Sequence, residues 1–367
     1  EEVRAAARAE GLQLPVDPTS RSDCTVGGAI ATNASGPATF RYGPMAAWVE
    51  RLRFVDGRGR VHDVGRRRVE KCAVGPPALQ EPVDWLVGSE GTLGVVVEAT
   101  LRLIPAARDR LTVFVPFGSE AELFAGVAAL RRDRAHLPIR SIEWLDAACC
   151  RLIAGGAGSL ALGDQRGGGL AIELEQPDGD PRPVDDHLEA AAELLADNGG
   201  IVEDALVLRT AADQRAFDVL RHRVPETLNQ RGHRLADGAG GGKLSTDWSV
   251  PIADLGALID DARARIGGDD VEGVWAYGHI GNGHPHLNVL CRDAAARERV
   301  HRVLADQLGR VVALGGSATS EHGVGKVKRD LVADLLPLGF LKVFAGLKAE
   351  LDPDGILAPG NIAKTAT

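Results

Sequence analysis

Runs of apolar and β-branched residues predict three strands in the first hundred residues of the chain. Two of them, residues 49–55 and 61–64, flank a glycine-containing segment at 56–59 that is typical of a turn. The third run covers residues 95–103 and stops at Pro105, because proline cannot donate a ladder hydrogen bond. This part of the chain is therefore expected to consist of strands and tight turns.

From about residue 108 onward, the pattern alternates between strand and helix periods. The predicted elements are a strand at 111–117, a helix at 120–132, strands at 139–144 and 170–175, a helix at 184–197 and a strand at 201–208. This β-α-β-β-α-β order is typical of a ferredoxin-like split motif. Helices at 211–231, 252–266 and 293–314 then surround strands within 271–290. With no repeat of fixed period, the sequence predicts two α+β units.

The composition is that of a folded globular protein, with 44% hydrophobic and 25% charged residues. The net charge of −9 provides no basic field, so a nucleic-acid partner is not expected. No apolar run approaches the roughly 18 to 20 residues that a membrane span requires. The five cysteines are scattered without a CxxC pair, which argues against a zinc ribbon, an iron–sulfur cluster or a disulfide framework.

Two glycine-rich segments could hold a ligand close to the backbone. Residues 24–36 read CTVGGAIATNASG, and residues 88–94 read GSEGTLG directly before a strand. Glycines allow the main chain to approach a flat or phosphorylated ligand, with amide groups as donors. A purely structural turn or loop is the alternative for each segment. The segment at 24–36 is not a GxGxxG motif, which disfavours a nicotinamide site.

A third cluster contains three histidines within eight residues, in the segment GHIGNGHPHLNVL at 278–290. In a strand, His286 and Asn288 lie on one face because side chains alternate. His279 reaches the same side if the glycines at 281–283 reverse the chain. Two imidazoles on one face are half of a divalent-metal site, although a histidine can also be a satisfied core residue.

The fourth cluster, TSEHGVGK at 319–326, offers a carboxylate and another imidazole. Glu321 can complete a His-His-carboxylate metal set. His322 can act as a general base, since imidazole titrates near neutral pH. The alternative is an exposed Glu-His pair that caps a helix.

Together these clusters resemble the FAD-linked D-2-hydroxy-acid dehydrogenases, the family of cytochrome-type D-lactate dehydrogenase, the flavoprotein component of glycolate oxidase and D-2-hydroxyglutarate dehydrogenase. The family shares the flavin fold of vanillyl-alcohol oxidase. Its motifs look like TIGGxxATNAxG, GSEGTLG, GHxGDGNxHxN, SxEHGxG and LDPxGxxNPGK. They correspond here to residues 25–36, 88–94, 278–288, 320–325 and 351–361, in family order along nearly the whole chain.

The resemblance implies an α+β fold with three segments. Residues 1–107 would be the C-terminal half of a FAD-binding domain, 108–345 a ferredoxin-like cap of the FAD-linked oxidase C-terminal type, and 346–367 a tail returning to the flavin domain. The chain begins with Glu1 and not with methionine, so we expect that an N-terminal part of the FAD domain precedes it.

The resemblance also implies roles for particular residues and two cofactors, FAD and a divalent metal. Zinc is the expected metal, with manganese or iron as alternatives. The implied metal ligands are His279, His286 and Glu321, with His322 as the base. Substrate contacts fall on Arg221, Lys243 and Asn288. Residues implied for FAD binding are Thr25, Gly27, Gly28, Ala31, Thr32, Gly36, Gly91, Gly94 and Val95.

Three departures from the family pattern bear on the substrate. The GDGN of the family is Gly281-Asn282-Gly283-His284 here, which loses a carboxylate and gains an imidazole. Residues 71–77 lack the tyrosine of the family's KNxxGYDL segment, and NPGK becomes residues 358–361, APGN. These changes leave the identity of the acid open.

The implied activity is oxidation of a D-2-hydroxy acid, D-lactate first, to its 2-oxo acid by hydride transfer to FAD. The acceptor would be a cytochrome, a quinone or an electron-transfer protein. We expect a cytoplasmic protein, or one peripheral at the inner face of a membrane through that acceptor. The alternatives are a non-catalytic fragment or accessory subunit without a complete FAD cradle, and a metal-dependent hydrolase.

Overall fold

The structure is a computed structural model that describes residues 1–69, 71, 80–154, 167–336 and 339–363. Its contacts divide the chain into two compact units. The first unit comprises Glu1–Ala106 together with the chain from Glu321 onward, and the second unit is Ala107–Ser320. The mixture of helices and antiparallel sheets confirms the expected α+β class.

The first unit contains a small antiparallel sheet with short helices beside it. Its elements up to residue 106 are α1 Glu2–Ala9, β1 Leu12–Gln13, α2 Val26–Ala31, α3 Thr39–Tyr42, β2 Val49–Val55, β3 Val61–Gly65, α4 Val83–Leu86, β4 Val95–Leu101 and β5 Ile104–Pro105. Among the described residues, β2 lies between β3 and β4, and β1 pairs with β5. Leu52 and Phe54 of β2 are buried while Arg51 and Arg53 are exposed, which is the alternation of a half-buried strand.

The second unit begins with the predicted ferredoxin-like motif. Its elements are β6 Asp109–Pro116, α5 Glu120–Arg132, β7 Ile139–Leu145, α6 Ala147–Ala154, β8 Gly169–Gln176, α7 Val184–Ala196 and β9 Leu206–Leu208. The strands lie in the order β7-β8-β6-β9, all antiparallel, which confirms the split motif.

The strand predicted over residues 201–208 is shorter than expected. A 3₁₀ turn occupies Val202–Asp204, and only Leu206–Leu208 pairs with β6. Glu203 and Asp204 are exposed and interrupt the alternation of buried and exposed side chains, so this segment gains little by extending the sheet.

The rest of the second unit repeats the same arrangement. Its elements are α8 Ala211–Ala239, β10 Gly240–Ser245, α9 Ile252–Ile266, β11 Val271–His279, β12 His284–Asp293 and α10 Ala294–Ala313. In the sheet, the last strand of this part, β12, lies between β10 and β11, just as β8 lies between β6 and β7. This part is therefore a split βαβ unit without the fourth strand. Pairing of Tyr277 with Leu145 joins the halves into one sheet, seven-stranded in the described part of the chain. This repeat of topology has no fixed sequence period, and the sequence search missed it.

Helix α8 covers one face of this sheet and extends beyond the predicted end at residue 231. It begins at a Thr210–Asp213 capping box and ends at Gly240, whose φ of 72° suits glycine. Its buried side chains pack with residues of β7, β11 and β12 in one cluster that includes Phe217, Leu220, Val224, Leu228, Leu145, Trp275 and Leu290. This sheet face, under α8, carries the polar residues described below.

The end of the chain rejoins the first unit through α11 Arg329–Val332 and α12 Phe340–Leu351. Phe344 and Leu351 enter the same core as Leu52 and Phe54. We expected the tail to begin near residue 346, whereas the compact unit resumes at Glu321. Across all helices of the described residues, none has the length and apolar character needed to cross a membrane.

Candidate functional site

Three histidines of the second unit lie together on the face of the sheet that α8 covers. Strand β11 ends at His279, and after a 3₁₀ turn β12 begins at His284. The register pairs His279 with His284 and Tyr277 with His286, so the three imidazoles point to one side. Gly283 makes this reversal possible, with φ of 68° and an added Cβ only 2.0 Å from the oxygen of Val250.

The three rings form a compact, buried group. The ring centroids of His284 and His286 are 4.6 Å apart, and that of His279 is 5.7 Å from that of His286. The Nδ1 of His284 lies 2.8 Å from the carbonyl oxygen of Trp248 and therefore donates to it. Its Nε2 lies 3.7 Å from an oxygen of the Asp247 carboxylate.

Glu321 supplies a carboxylate next to these imidazoles. It directly follows Ser320, whose amide donates to the oxygen of Asp247 at 2.8 Å and whose hydroxyl bonds that of Ser249 at 2.8 Å. Ligand atoms of His279, His286 and Glu321 all lie within 4.8 Å of one another.

This donor set fits a divalent metal. Two imidazoles and one carboxylate are a common set of protein ligands for catalytic zinc, with a further position open to water or substrate. Ligand atoms of one zinc ion lie at most about 4 Å apart, since each is about 2.0–2.2 Å from the metal. The spacing of up to 4.8 Å would have to close by roughly 1 Å around an ion.

A carboxylate that the sequence analysis overlooked holds both His279 and Arg221. Oε1 of Glu143 on β7 is 2.6 Å from Nδ1 of His279. Oε2 of Glu143 accepts a hydrogen bond from the Arg221 guanidinium on α8. The structure therefore brings Arg221 to the histidine cluster. The available sequence signal was an acidic residue between Ile142 and Trp144 within the predicted strand at 139–144.

Asn288 and Lys243 occupy different places along the same sheet. Asn288 is fully buried on the histidine face, and its Oδ1 has no hydrogen-bond partner among the described residues. Lys243 on β10 pairs with Leu290, four residues and about 13 Å along β12 from His286. Burial lowers the pKa of Lys243.

The two glycine clusters meet in the first unit. Thr25 caps the short helix α2, which contains Gly27, Gly28 and Ala31, so this segment is not the simple turn that was the alternative. The amides of Gly88 and Glu90 donate to the carbonyls of Ile30 and Ala31 at the end of this helix. The helix forms because the Thr25 hydroxyl accepts from the amide of Gly28 and so satisfies a free N–H of the first turn.

The remaining glycines of these clusters allow close packing. An added Cβ at Gly36 would lie 2.3 Å from the oxygen of Asp17, and one at Gly94 would lie 2.5 Å from the Phe54 ring. Gly91 has φ of 72°. Thr32 ends α2 and donates its hydroxyl to Gly28, and Val95 begins β4 as an exposed side chain.

A cavity of about 380 Å³ lies beside the first turn of α2. Its apolar wall includes Leu14, Val16 and Ala29, and its charged lining consists of two arginines and two glutamates, namely Arg4, Arg21, Glu1 and Glu2. Apolar surface suits a flat ring system, and arginine suits phosphate. The residues in this unit therefore fit part of a flavin nucleotide.

The loop that carries His322 is tied to Glu90 in the same unit. The Glu90 carboxylate accepts from the amides of Val324 at 2.6 Å and Gly325 at 2.8 Å. An added Cβ at Gly323 would lie 2.6 Å from this carboxylate. Residues 321–328 form bends and turns, so Glu321 and His322 do not cap a helix. Glu90 is a second carboxylate that the sequence analysis missed.

The departure noted at residues 71–77 lies outside the described residues, except for Lys71. The other departures are within the described chain. Asn282 is part of the turn between β11 and β12, and His284 begins β12.

Comparison with protein families identifies both parts of the chain. Residues 106–362 match the family described as FAD linked oxidases, C-terminal domain, and residues 1–65 match a FAD binding domain. The expected flavoprotein family and its two domain types are thereby confirmed.

Comparison with individual proteins gives the same result. The chain is 30% identical to a D-2-hydroxyglutarate dehydrogenase of Xanthomonas citri, covering all of this chain and 74% of that protein. It is 31% identical to a probable mitochondrial D-lactate dehydrogenase of Danio rerio, over 97% of this chain and 68% of that protein. It is 27% identical to the glycolate oxidase subunit GlcD of Bacillus subtilis, over 97% of this chain and 72% of that protein.

A solved structure of alkyldihydroxyacetonephosphate synthase shares the fold, with a TM-score of 0.68 and 20% identity. The match covers 98% of this chain and 61% of that one, so this chain is shorter than the solved one. The relationship to D-lactate and D-2-hydroxyglutarate dehydrogenases confirms an oxidoreductase of the flavin-dependent class. The chain belongs to the family of FAD-linked oxidases.

Proposed function

We propose that this protein is a FAD-dependent dehydrogenase that oxidises a D-2-hydroxy acid to the corresponding 2-oxo acid. The observation that carries the proposal is the grouping of His279, His286 and Glu321, with Arg221 nearby, in a chain of the FAD-linked oxidase family. A hydroxyl and a carboxylate on adjacent carbons are the groups that a metal and an arginine can hold together.

His279, His286 and Glu321 would hold the metal, with zinc as the first candidate and manganese or iron as alternatives. When bound, the ion would act as a Lewis acid toward the substrate hydroxyl. The ligand residues leave room for substrate because three protein ligands do not complete a four-coordinate site.

Arg221 would bind the substrate carboxylate, because its planar guanidinium matches the two carboxylate oxygens. Asn288 has an unpaired buried Oδ1 within the described chain, which suits a hydrogen-bond donor on a ligand. We include Lys243 as a third contact, toward an end of the substrate distant from the metal ligands, because of its position on β10.

His322 would take the proton of the substrate hydroxyl. The adjacent Glu321 and His322 can point in different directions, so one side chain can serve the metal while the other serves the substrate. The residues proposed to hold FAD are Thr25, Gly27, Gly28, Ala31, Thr32, Gly36, Gly91, Gly94 and Val95. Bound FAD would accept the hydride in the redox step.

D-Lactate is our first candidate substrate and D-2-hydroxyglutarate the second, because the relatives include dehydrogenases named for each acid. Reoxidation requires an electron acceptor, for which a cytochrome, a quinone or an electron-transfer protein is proposed.

Anaerobic reduction of the bound flavin tests this proposal. Purified protein with bound FAD and metal is mixed with D-lactate, D-2-hydroxyglutarate or glycolate, and the flavin absorbance near 450 nm is followed. We expect at least one acid to bleach the flavin, and the L-enantiomer of a chiral acid to bleach it much more slowly. Stable flavin absorbance with all three acids would contradict the proposal, and ester hydrolysis by the metal-loaded protein would favour the hydrolase alternative.

A further inference from the structure

We infer that Glu143 is a positioning residue that sets the tautomer of His279 and the orientation of Arg221 at the same time. The inference rests on the proposed function and adds a residue for which the motifs gave no role. Glu143 lies on β7, outside every motif segment, and it contacts both side chains through different oxygens.

The register of the sheet puts Glu143 in this place. Pairing of Tyr277 with Leu145 and of Gly278 with Trp144 makes Glu143 the neighbour of His279 across the β7–β11 junction. This junction is where the two halves of the second unit meet. One half therefore contributes the carboxylate, and the other contributes the imidazole.

Burial makes the contact specific. The side chain of Glu143 is only 9% exposed, and those of His279 and Arg221 are 6% and 18% exposed. A buried carboxylate requires donors for both of its oxygens, because an unsatisfied buried charge is strongly destabilising. His279 and Arg221 provide one donor each.

The hydrogen bond to Oε1 determines which imidazole nitrogen of His279 can bind a metal. A carboxylate only accepts, so Nδ1 of His279 carries the proton, and Nε2 keeps the lone pair. A metal-binding histidine typically donates its other ring N–H to a carboxylate or carbonyl in this way. Glu143 thus prepares His279 to bind metal through Nε2.

The second oxygen of Glu143 determines where Arg221 points. The bond to Oε2 holds the guanidinium beside the histidine cluster, although Arg221 comes from the long helix α8. The carboxylate therefore links the metal ligand to the proposed clamp for the substrate carboxylate. Its replacement should therefore disturb metal binding, substrate binding or both, according to which contact is lost.

Glu143→Gln separates these two functions, because an amide has only one accepting oxygen. If that oxygen faces His279, the amide NH₂ faces the guanidinium, and two donors oppose each other. If the amide is flipped, its NH₂ favours the His279 tautomer with the proton on Nε2, which cannot bind metal there. Both orientations damage one of the two contacts.

The experiment compares wild-type protein with Glu143→Gln, Glu143→Asp and the control Glu173→Gln. Glu173 is also a partly buried strand carboxylate that binds an arginine, Arg140, but it contacts none of the histidines. Zinc affinity is measured by competition with a chromophoric chelator. The tautomer of His279 is measured by ¹⁵N NMR of the metal-free, histidine-labelled protein.

We expect the flipped amide, because His279 can change tautomer whereas Arg221 can only donate. Glu143→Gln should then weaken zinc binding by about 10- to 100-fold, the usual loss for a residue that orients a metal ligand, shift the NMR signal of Nε2 toward the protonated form and change KM for the acid much less. Glu143→Asp keeps two accepting oxygens and should lose less. Glu173→Gln should leave zinc affinity, tautomer and KM unchanged.

Unchanged zinc affinity, tautomer and KM in folded Glu143→Gln would overturn the inference. Should wild-type protein bind no metal, the proposed metal centre fails, but the His279 tautomer still tests Glu143 independently. If Glu143→Gln does not fold, the tautomer and zinc affinity of Glu143→Asp decide, and wild-type values there would overturn the inference.

Discussion

The glycine clusters of the first unit and the histidine cluster of the second unit are both candidate ligand-binding regions, but they are built differently. In the first unit, Gly36 and Gly94 remove side chains so that segments can pack at distances that a Cβ would prevent. In the second unit, the sheet presents side chains, and alternation puts His284, His286 and Asn288 on one face. A site formed by the backbone depends on positions without a side chain, whereas a site formed by side chains depends on which chemical groups they carry.

This difference determines how each region should respond to substitution. Substitutions at the histidine face remove chemistry and should leave the sheet intact, because β12 pairs on both sides. Substitutions in the glycine clusters add atoms where there is no space and should affect packing first. Two carboxylates, Glu90 and Glu143, support the two regions by holding the His322 loop and the proposed metal ligand His279, respectively.

The largest effect is expected for His279→Ala or His286→Ala. Either change should remove most of the bound metal and lower turnover by about 10⁴-fold, because Lewis-acid assistance supplies several kcal/mol. FAD content should remain unchanged. Elemental analysis and the flavin spectrum of the same samples check both halves of this expectation. Full metal occupancy in both variants would remove these residues from the site.

His322→Asn should come next, with flavin reduction slower by about 10²- to 10⁴-fold, the usual loss for a general base. Metal and FAD should both be retained. The loss should be partly relieved at higher pH, where the substrate hydroxyl ionises without help. Stopped-flow flavin reduction across pH measures this, and a variant that loses its metal would make His322 a ligand and His284 the next candidate for the base.

Gly36→Ala tests the backbone side of the comparison. The added methyl group would meet the oxygen of Asp17 at 2.3 Å, and such crowding costs about 1–3 kcal/mol. We expect a lower melting temperature and weaker FAD retention with zinc affinity unchanged. Gly309→Ala is the matched control, since apart from the adjoining residues and helix backbone no atom of the described residues lies within 4 Å of its added Cβ, and it should be neutral or stabilising. Loss of zinc affinity in Gly36→Ala would argue against the separation of the two regions.

Arg221→Lys should raise KM by about 10- to 100-fold, because a point charge cannot reproduce a two-pronged carboxylate contact. Metal content should stay close to that of wild-type protein, since Glu143 remains. Steady-state kinetics with the three acids measure the effect. Equal KM and kcat in variant and wild type would exclude Arg221 from substrate binding.

Lys243→Met should have the smallest effect, at least on KM for a short acid such as D-lactate. Lys243 pairs with Leu290, which lies four residues beyond His286 on β12. For a longer acid with a second carboxylate, the effect on KM should be larger. The ratio of the KM changes for D-2-hydroxyglutarate and D-lactate is the informative quantity. A large KM increase for D-lactate would show that Lys243 reaches the hydroxy-acid end.

Local sequence signals predicted the elements better than the links between them. Helices α5 and α9 have the bounds that apolar spacing predicted, and the reversal at Gly281-Asn282-Gly283 brings His279 to the face of His286 as expected. The alternation of side chains between the two faces of a strand depends only on neighbouring residues, so it can be predicted from the local sequence. The short helix α2 was missed because two adjacent glycines are poor helix formers, whereas the Thr25 cap and the burial of Ala29 and Ile30 favour the helix in the folded chain.

Contacts between segments that are distant in the chain could not be predicted from local sequence patterns. Glu143 lies 136 residues before His279, and its role follows from how β7 pairs with β11. Glu90 lies 234 residues before Val324, and nothing in GSEGTLG indicates that its carboxylate holds the His322 loop. The topological repeat of the second unit was hidden for the same reason, because strand order is set by long-range pairing.

X-ray absorption at the metal edge of the purified protein tests the central claim of a His-His-carboxylate centre most directly. Elemental analysis first identifies the metal, and the absorption fine structure then reports its ligands. Our account predicts two imidazoles, light oxygen ligands and no sulfur, with the imidazole signal reduced in His286→Ala. A sulfur shell, or imidazole scattering that is absent from wild-type protein or unchanged in His286→Ala, would contradict it.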